Sequence, residues 1–410
     1  MKKKILLKAP LLTRSGYGEQ ARFAMRALRA YEEEFEIFIQ PLEWGKTSWI
    51  NDMNEEREWI DEVIERTIFF IQQDGKFDIS LQVTVPNEFE KLAETNIGYT
   101  AGIETTKVAP VWIDKSNVMD KLIVVSNHAK QVFEKSEYKL INDKTKEEFP
   151  FLLKCPVDVV NYPVKEYSNL PELDLEITTK HNFLCISQMG PRKNLPNLIK
   201  WFVGEFKDDD VGLVLKTNMM KNSLIDRSAT EKNMRELLST LPKDRKCKVY
   251  LLHGDMTDEE IHSLYINEKI HAFVSIPHGE GFGLPIFEAA YSGLPVVTIG
   301  WSGQCDYLFD EQGKERFYNV AYDINHIQKE AVWDGVLQKD SMWAYPREES
   351  AKQQMRNCLD DVINNNVIAC EYASELKQRF SKEKMYKLFV DSVLSVCSES
   401  EQQLSKVVLL

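Results

Sequence analysis

The segment from residue 275 to residue 300 constrains the fold of this chain more than any other part of it. A buried strand predicted over His271–Ile276 leads into a loop with three glycines, Gly279, Gly281 and Gly283. Pro285 suits the first turn of a following helix, where its missing N–H has no partner to lose. Gly293 permits a left-handed cap, and Pro295 cannot continue the helix. The segment therefore predicts a strand, a glycine loop, a short helix and the next strand of an α/β sheet.

The start of this predicted helix is suited to bind an anion. Free backbone amides and the positive end of the helix dipole meet there. Two carboxylates flank the same point, Glu280 in the loop and Glu288 in the helix. Carboxylates beside an anion are unfavourable unless they accept hydrogen bonds from hydroxyl groups. A nucleotide sugar is both anionic and rich in hydroxyls, so the segment favours such a ligand over two exposed glutamates at a helix start.

The composition is that of a globular protein with more than one core. A chain of 410 residues suggests two domains. The net charge of −13 argues against a broad nucleic-acid footprint, although a local basic pocket stays compatible with it. The seven cysteines and seven histidines lack the spacing of zinc or redox motifs, so we expect free thiols and no structural metal.

The sequence lacks a membrane signal. Lys8 and Pro10 interrupt the apolar N-terminal run too early for a signal peptide. No uninterrupted apolar segment approaches the roughly 18 residues of a membrane helix. We therefore expect a cytoplasmic protein.

Apolar strand-like runs alternate with helical patterns along the whole chain and predict parallel sheets covered by helices. The runs are Ile5–Leu7, Phe35–Ile39, Ile79–Val83, Leu122–Val125, Val157–Val160, Phe183–Ile186, Val211–Leu215, Lys248–Leu252, His271–Ile276 and Pro295–Ile299. We predict an α/β protein with two Rossmann-like doubly wound domains, residues 1–168 and 181–374, facing across a cleft. A polar stretch over 169–180 is the predicted linker.

The C-terminal region carries a helical stripe. Between Ser374 and Val396, apolar residues recur at Leu376, Phe380, Met385, Leu388, Phe389, Val393 and Val396. We expect the segment 375–410 to be helical and to pack back on the N-terminal domain.

The first loop contains Gly16 and Gly18, and with Ala21 it satisfies the loose dinucleotide fingerprint. Gly16 lies too far beyond the first strand for the tight turn of that fingerprint, so a nicotinamide site is disfavoured. A loop that closes on an acceptor or on phosphates is favoured, and a structural turn is the alternative.

Three cations follow strands of the second domain. Arg192 and Lys193 come after its first strand, where they can neutralise a diphosphate or form a solvated charge pair. Lys216 ends the next strand, as a ligand or as a lysine that snorkels to solvent.

Three further segments follow predicted strands. Met256 can cover the face of a base, and Glu104 and the run Trp301-Ser302-Gly303 are expected at the edge of the cleft. Plain turn chemistry is the alternative for each.

These residues together resemble the retaining glycosyltransferases of the GT-B fold, the group 1 (family 4) type. The motif of that family runs from Glu280 to Ala289, with Phe282, Gly283, Leu284 and Glu288 in their expected places. The resemblance implies transfer of a hexose or pentose from a nucleotide-diphosphate sugar, with retention, to an unidentified acceptor: a glycan, a small molecule or a modified polymer. It implies no cofactor besides the donor substrate, and no metal.

The resemblance also implies residue roles. Glu288 would hold the ribose, Glu280 the transferred sugar, and the amides of Phe282, Gly283 and Leu284 the sugar and phosphate. Lys193 matches a phosphate-binding lysine. Gln188 replaces the usual arginine, for which Arg192 is a substitute, and the usual first-domain histidine is absent beside Glu104. The catalytic candidates are thus Glu280, Lys193 and Glu104.

Two other functions stay open on the sequence. The same fold serves nucleotide-sugar epimerases, and a noncatalytic nucleotide-sugar-binding protein would retain much of the same site. The presence of both glutamates and Lys193 favours an active transferase.

Overall fold

The computed structural model describes residues 2–45, 47–142 and 144–404, with side chains described up to residue 396. The chain forms two compact units. Unit 1 takes Met1–Pro163, Trp333–Ser341 and Phe380–Leu410, and unit 2 takes Val164–Val332 and Met342–Arg379. The chain therefore passes between the two units several times in its last third, so neither unit is a single continuous stretch of sequence.

The described strands, in chain order, are β1 Lys3–Ala9, β2 Phe35–Pro41, β3 Ile79–Val83, β4 Thr95–Thr100, β5 Lys121–Val124, β6 Tyr138–Ile141, β7 Glu148–Phe151, β8 Val157–Val159, β9 His181–Ile186, β10 Val211–Lys216, β11 Lys248–Leu252, β12 Ala272–Val274, β13 Val296–Ile299, β14 Tyr318–Val320, β15 Tyr322–His326 and β16 Met342–Pro346.

The described α-helices are α1 Gly16–Arg29, α2 Glu55–Gln72, α3 Pro110–Ser116, α4 Asn127–Lys135, α5 Leu195–Phe206, α6 Leu224–Ser239, α7 Asp258–Tyr265, α8 Leu284–Tyr291, α9 Cys305–Leu308, α10 Glu348–Ile363, α11 Ala369–Arg379 and α12 Lys382–Leu404. Short 3₁₀ turns cover Pro86–Glu88, Pro191–Lys193 and Lys329–Ala331.

Each unit is built on one six-stranded parallel sheet. The strand order is β2-β1-β3-β4-β5-β8 in unit 1 and β11-β10-β9-β12-β13-β14 in unit 2, and every pairing in both sheets is parallel. An α-helix lies between most successive strands, as is usual for parallel pairing, whereas β3 and β4 are joined by a segment with only the 3₁₀ turn Pro86–Glu88. The predicted α/β class, with two doubly wound Rossmann-like domains, is thus confirmed.

The core of unit 2 explains why its strands are recognisable in the sequence. Strand residues such as Phe183, Leu213 and Val274 are fully or almost fully buried, and they pack on the apolar stripe of α5. Strands covered on both faces read as continuous apolar runs. All ten predicted runs overlap a strand of these two sheets. The interior strand β4, the edge strand β14 and the antiparallel pairs β6–β7 and β15–β16 were not among the predicted runs.

The C-terminal region differs from the prediction of one helical stripe. The stripe is divided between α11 and α12, with a break at Phe380 and Ser381, where Ser381 accepts a hydrogen bond from the Lys384 amide. The break also marks the change from unit 2 to unit 1. Within unit 1, Phe389 of α12 contacts the rings of Phe23 and Tyr99, at centroid distances of 5.3 and 5.2 Å.

Candidate functional site

The candidate residues of unit 2 lie at one edge of its sheet. The strands are parallel, so the segments that follow β9, β10, β11, β12 and β13 all leave from their carboxyl ends. The strand order reverses direction between β9 and β12, and ligands of open α/β sheets bind at such a switch point. Arg192 and Lys193 follow β9, and the glycine loop follows β12. The topology therefore brings the predicted cations and the predicted anion site together.

Glu280 is the centre of this cluster. Its side chain is buried, and its carboxylate accepts hydrogen bonds from Arg192 Nη1 at 2.8 Å and from Lys193 Nζ at 2.5 Å. Arg192 Nη1 also donates to the Gly279 carbonyl at 2.7 Å. Burial by itself raises the pKa of the Glu280 carboxyl, but the charges of Arg192 and Lys193 outweigh it, and the pKa is lowered overall. Glu280 is therefore a buried carboxylate that two cations keep ionised.

The backbone of Glu280 is held from the loop after β13. The Glu280 amide donates to Ser302 Oγ, and the Gly303 amide donates to the Glu280 carbonyl, both at 2.9 Å. Ser302 has a φ of +73°, which is unusual for a residue with a side chain. A Cβ on Gly303 would lie 1.9 Å from the Gly281 carbonyl oxygen. The Trp301-Ser302-Gly303 run thus holds the glycine loop in place through Ser302 and Gly303. Only glycine fits at position 303, because its backbone lies directly against Gly281.

The helix that follows the loop begins as the sequence predicted. Gly283 precedes α8 with a φ of +88°, and Gly293 follows it with the same φ, in the left-handed region that favours glycine. Tyr307 OH donates to the carbonyls of Phe282 and Gly283 at 3.0 and 2.8 Å. The Tyr307 hydroxyl therefore fixes the backbone just before the helix, whose first residue is Leu284.

Glu288 projects from the middle of α8 into a different set of contacts. Its Oε2 accepts a hydrogen bond from Tyr265 OH at 2.9 Å, and Lys165 Nζ lies 4.0 Å from its Oε1. The same amine is 3.2 Å from Asp258 Oδ2. Glu288 is half-buried beside a cation and a tyrosine, a setting suited to bind hydroxyl groups. Lys165 and Tyr265 were not among the predicted site residues, because neither lies in the loop-and-helix motif.

Lys216 is buried at the end of β10, and its Nζ donates to the Gly254 carbonyl at 2.6 Å. Burial lowers the pKa of this amine. The amine is thus engaged with the loop that follows β11, which also carries the half-buried Met256. Gln188, which stands where the resemblance leads one to expect arginine, donates to the Met219 carbonyl at 3.0 Å. Its amide links the loops after β9 and β10.

In unit 1, the predicted candidates gather around Tyr17, which the sequence analysis did not select. Gly16 and Gly18 lie in the first turn of α1, and a Cβ on Gly18 would meet the Thr13 carbonyl at 2.0 Å. Tyr17 OH pairs with Thr100 Oγ1 at 2.8 Å, at the end of β4. Burial raises the pKa of Tyr17, and the charge of Glu104 raises it further. Gly18 therefore has a packing role, and Glu104 lies near the tyrosine.

The loop that holds Glu104 also contacts a histidine from another element. His128, in the first turn of α4, hydrogen-bonds the backbone of Thr105 and Ile103, and burial lowers its pKa to about 4. The imidazole is therefore neutral near pH 7. The sequence lacks a histidine directly after β4, but the fold brings one to the same loop.

Two structural findings bear on metals and membranes. Across residues 2–45, 47–142 and 144–404, no group of three or more His, Cys, Asp or Glu side chains is placed to hold a metal ion. No helix in this part of the chain has the length and apolar character needed to cross a bilayer.

Comparison with protein-family models gives a match within the second half of the chain. Residues 174–330 match the family model described as glycosyl transferases group 1. No curated protein sequence matches the chain.

Solved structures are similar over almost the whole chain. A glycosyltransferase from Rickettsia africae is 14% identical, with 97% of this chain and 99% of that chain covered and a TM-score of 0.59. Anabaena Alr3699/HepE in complex with UDP and glucose is 12% identical, with 96% and 100% covered and a TM-score of 0.55. A UDP-forming α,α-trehalose-phosphate synthase from Burkholderia xenovorans is 9% identical, with 97% and 100% covered and a TM-score of 0.59.

Identities this low show the fold alone, while the family match covers the residues that surround Glu280 and Glu288. The chain thus has the GT-B fold, and its residues 174–330 match the model of the group 1 glycosyl transferases.

Proposed function

We propose that this protein is a glycosyltransferase that moves a hexose or pentose from a nucleotide-diphosphate sugar to a hydroxyl-bearing acceptor, with retention of the anomeric configuration. The observation that carries the proposal is the convergence of Arg192 and Lys193 on buried Glu280, beside the start of α8. Two cations and a helix start can bind a diphosphate, and a carboxylate between them can bind a sugar hydroxyl.

The donor roles follow from the positions of the side chains. Glu288, with Tyr265 at one oxygen and Lys165 near the other, is placed to accept hydrogen bonds from ribose hydroxyls. Glu280 would contact the transferred sugar, and the amides of Phe282, Gly283 and Leu284 its phosphate. Structures of similar fold hold related ligands: UDP and glucose in the Anabaena protein, and UDP-2-fluoro glucose in an Escherichia coli trehalose-6-phosphate structure with a TM-score of 0.56 and 9% identity.

In the proposed reaction, the bond between the anomeric carbon and the diphosphate oxygen breaks, and a bond from that carbon to the acceptor oxygen forms on the same face. The acceptor proton passes to the departing phosphate oxygen. Arg192, Lys193 and the α8 dipole stabilise the charge that develops on the leaving diphosphate. Because these groups supply the positive charge, we propose that the reaction needs no divalent cation.

The acceptor is proposed to bind to unit 1, where the charge of Glu104 acts on the buried Tyr17. Its chemical class remains a glycan, a small molecule or a modified polymer. The protein is further proposed to act in the cytoplasm, without a cofactor besides its donor.

A panel of nucleotide sugars tests the proposal through donor hydrolysis, release of the nucleoside diphosphate and thermal shift, with NAD as a negative control. We expect Lys193→Ala to reduce turnover by about 100-fold. Lys200→Ala, a change at an exposed residue of α5, should leave turnover unchanged. Wild-type turnover by Lys193→Ala would place the diphosphate elsewhere, and loss of activity in EDTA would overturn the metal-free reaction.

A further inference from the structure

His278 is a buried histidine directly before the glycine loop, and the donor-site assignment above gives it no role. It follows β12 and precedes Gly279, and its side chain is 2% exposed. Its ring stacks on Trp343 of β16, with a centroid distance of 4.9 Å and an interplanar angle of 11°. The Tyr345 ring lies 4.7 Å away. The imidazole is therefore fixed in one plane by two aromatic residues of the same strand.

Hydrogen bonds at both nitrogens define the protonation of this ring. Nδ1 lies 2.7 Å from the Ala344 carbonyl, which can only accept, so Nδ1 carries the proton. Nε2 lies 3.0 Å from Nε2 of Gln328, an amide nitrogen that can only donate, so the histidine Nε2 accepts. Burial lowers the pKa of His278, and the nearby charge of Arg192 lowers it further. The ring is therefore the neutral Nδ1–H tautomer.

The backbone of the same residue joins the two halves of the charged cluster. The His278 amide donates to the Arg192 carbonyl at 2.8 Å, and the Ala344 amide donates to the His278 carbonyl at 3.0 Å. Arg192 in turn donates to the Gly279 carbonyl and to Glu280. One residue thus connects the turn that carries Arg192, the loop that carries Glu280, and β16.

We propose that His278 is a positioning residue that holds the Arg192 guanidinium against Glu280 by anchoring both segments to β16 through the Ala344 carbonyl. The role rests on the proposed function, because the Arg192–Glu280 pair matters only if that pair meets the donor. A neutral imidazole is suited to donate the hydrogen bond to the Ala344 carbonyl, because a charged imidazolium would repel the Arg192 side chain.

The proposal distinguishes two conservative variants. An asparagine amide nitrogen lies about where histidine Nδ1 lies, so His278→Asn can keep the bond to the Ala344 carbonyl. A glutamine amide reaches farther, toward the position of Nε2, so His278→Gln keeps only the contact with Gln328. His278→Ala keeps neither and leaves the buried Ala344 carbonyl without this donor.

The first measurement is NMR of the full chain with ¹⁵N-labelled histidine at pH 7, which reads the ring without reference to activity. Among the signals of the histidines, we expect one set that belongs to a neutral Nδ1–H imidazole and disappears in His278→Asn. An imidazolium, with the Gln328 amide reversed, or an Nε2–H tautomer at this position would overturn the proposal.

The second measurement compares kcat for donor turnover, the Kd for UDP and Tm across the variants. We expect His278→Ala and His278→Gln to lower kcat by about 10- to 100-fold with a smaller change in the Kd for UDP. His278→Asn should stay within about threefold of the wild-type kcat. His326→Ala, a change at an exposed histidine of β15, is the control.

A merely structural histidine gives a different pattern. If all three variants lose rate in proportion to their loss of Tm, or if His278→Ala turns over at the wild-type rate, the positioning role is wrong. If His278→Ala does not fold, the contrast between the Asn and Gln variants decides the question. A wild-type protein that binds no nucleotide overturns the proposed function itself, a result that the UDP titration shows before any variant is compared.

Discussion

At the scale of single residues, Glu280 is a buried carboxylate that neighbouring cations keep ionised. A buried carboxylate is ordinarily costly, and removal of one partner from such a pair leaves the other charge uncompensated. Here Arg192 and Lys193 both bind the carboxylate, and the loop backbone is held by Ser302 and Gly303. The same two cations are the proposed ligands of the donor diphosphate. Glu280 and the diphosphate therefore compete for, or share, the same positive charge.

This competition predicts opposite effects of Glu280→Gln on binding and on catalysis. Loss of the carboxylate frees positive charge, so UDP should bind about fivefold more tightly, equivalent to about 1 kcal/mol. Sugar transfer should fall by about 100-fold because the contact with the transferred sugar is weakened. Calorimetric titration with UDP and donor-turnover assays measure the two quantities.

Glu288→Gln is the matched comparison in the same helix region. The glutamine amide accepts hydrogen bonds from the ribose hydroxyls less well than the carboxylate does, so UDP should bind about tenfold more weakly. A Glu280→Gln protein that loses UDP affinity in the same way would contradict the assignment of Arg192 and Lys193 to the diphosphate.

The lowered pKa of Glu280 also predicts a pH dependence of stability. The unperturbed value is 4.5, and the folded-state value lies below it. A depressed carboxyl pKa contributes stability above the unfolded-state pKa and loses it as the pH falls through the folded-state pKa. The difference in unfolding free energy between wild type and Glu280→Gln should therefore change as the pH falls below the unperturbed value of 4.5, in the direction that disfavours wild type in acid. Urea unfolding at each pH measures it, and a pH-independent difference would contradict it.

At the scale of elements, the site depends on two loops that lie so close together that one of them needs a glycine at the contact. The loop after β12 carries Glu280, and the loop after β13 carries Ser302 and Gly303. Two hydrogen bonds and the absent side chain of Gly303 fix the first loop on the second. The sequence marks both loops by their turn residues, but the contact between them arises only when β12 and β13 pair.

Gly303→Ala should separate these loops. The added methyl would lie 1.9 Å from a backbone oxygen that cannot rotate away, so we expect a loss of about 1–3 kcal/mol in stability and a reduced turnover. Gly190→Ala is the control: its Cβ would meet no atom within 4 Å, and its φ of 175° is extended backbone. That control should change stability by less than about 0.5 kcal/mol. Equal stabilities of the two variants would argue against the close packing.

The helix elements show how far sequence patterns extend. Gly293 and Pro285 predict both ends of α8, since each acts through its own backbone geometry. The apolar stripe from Ser374 to Val396 predicts helix but not the break before α12. At the end of α11, Arg379 donates to the carbonyls of Asp306 and Phe309 and so fixes this helix on unit 2. The spacing of apolar residues indicates which face of a helix is buried, but it does not indicate which unit that face packs against.

At the scale of the whole molecule, the chain leaves unit 1 after Pro163, rejoins it briefly over Trp333–Ser341, and returns to it for good after Arg379. The returning helix α12 packs on α1 through Phe389, which is completely buried against Phe23 and Tyr99. The last helix is therefore part of the core of unit 1, although unit 2 separates the two in sequence. The donor contacts proposed above all come from unit 2.

This division predicts that Phe389→Ala destabilises unit 1 without weakening donor binding. Loss of a buried phenylalanine costs about 3–5 kcal/mol, whereas the exposed neighbour Leu388 should tolerate alanine within about 0.5 kcal/mol. Hydrogen exchange of the α1 amides reports the first effect, and calorimetry with UDP reports the second. Faster exchange in unit 2 alone, or a weaker Kd for UDP, would contradict the assignment of α12 to unit 1.

The sequence by itself determined the α/β class, ten of the twelve strands of the two parallel sheets, the ends of α8, and the placement of Arg192 and Lys193 at the same sheet edge as Glu280. These follow from local rules: strands buried on both faces are apolar, glycine and proline act on their own backbone, and carboxyl ends of parallel strands share an edge. The tertiary structure alone decided the contacts of Ser302 and Gly303 with the glycine loop, the place of His278 on β16, Tyr265 beside Glu288, and the assembly of unit 1 from three segments of the chain. Each of these contacts joins residues far apart in sequence, and such contacts leave no periodic pattern in the chain.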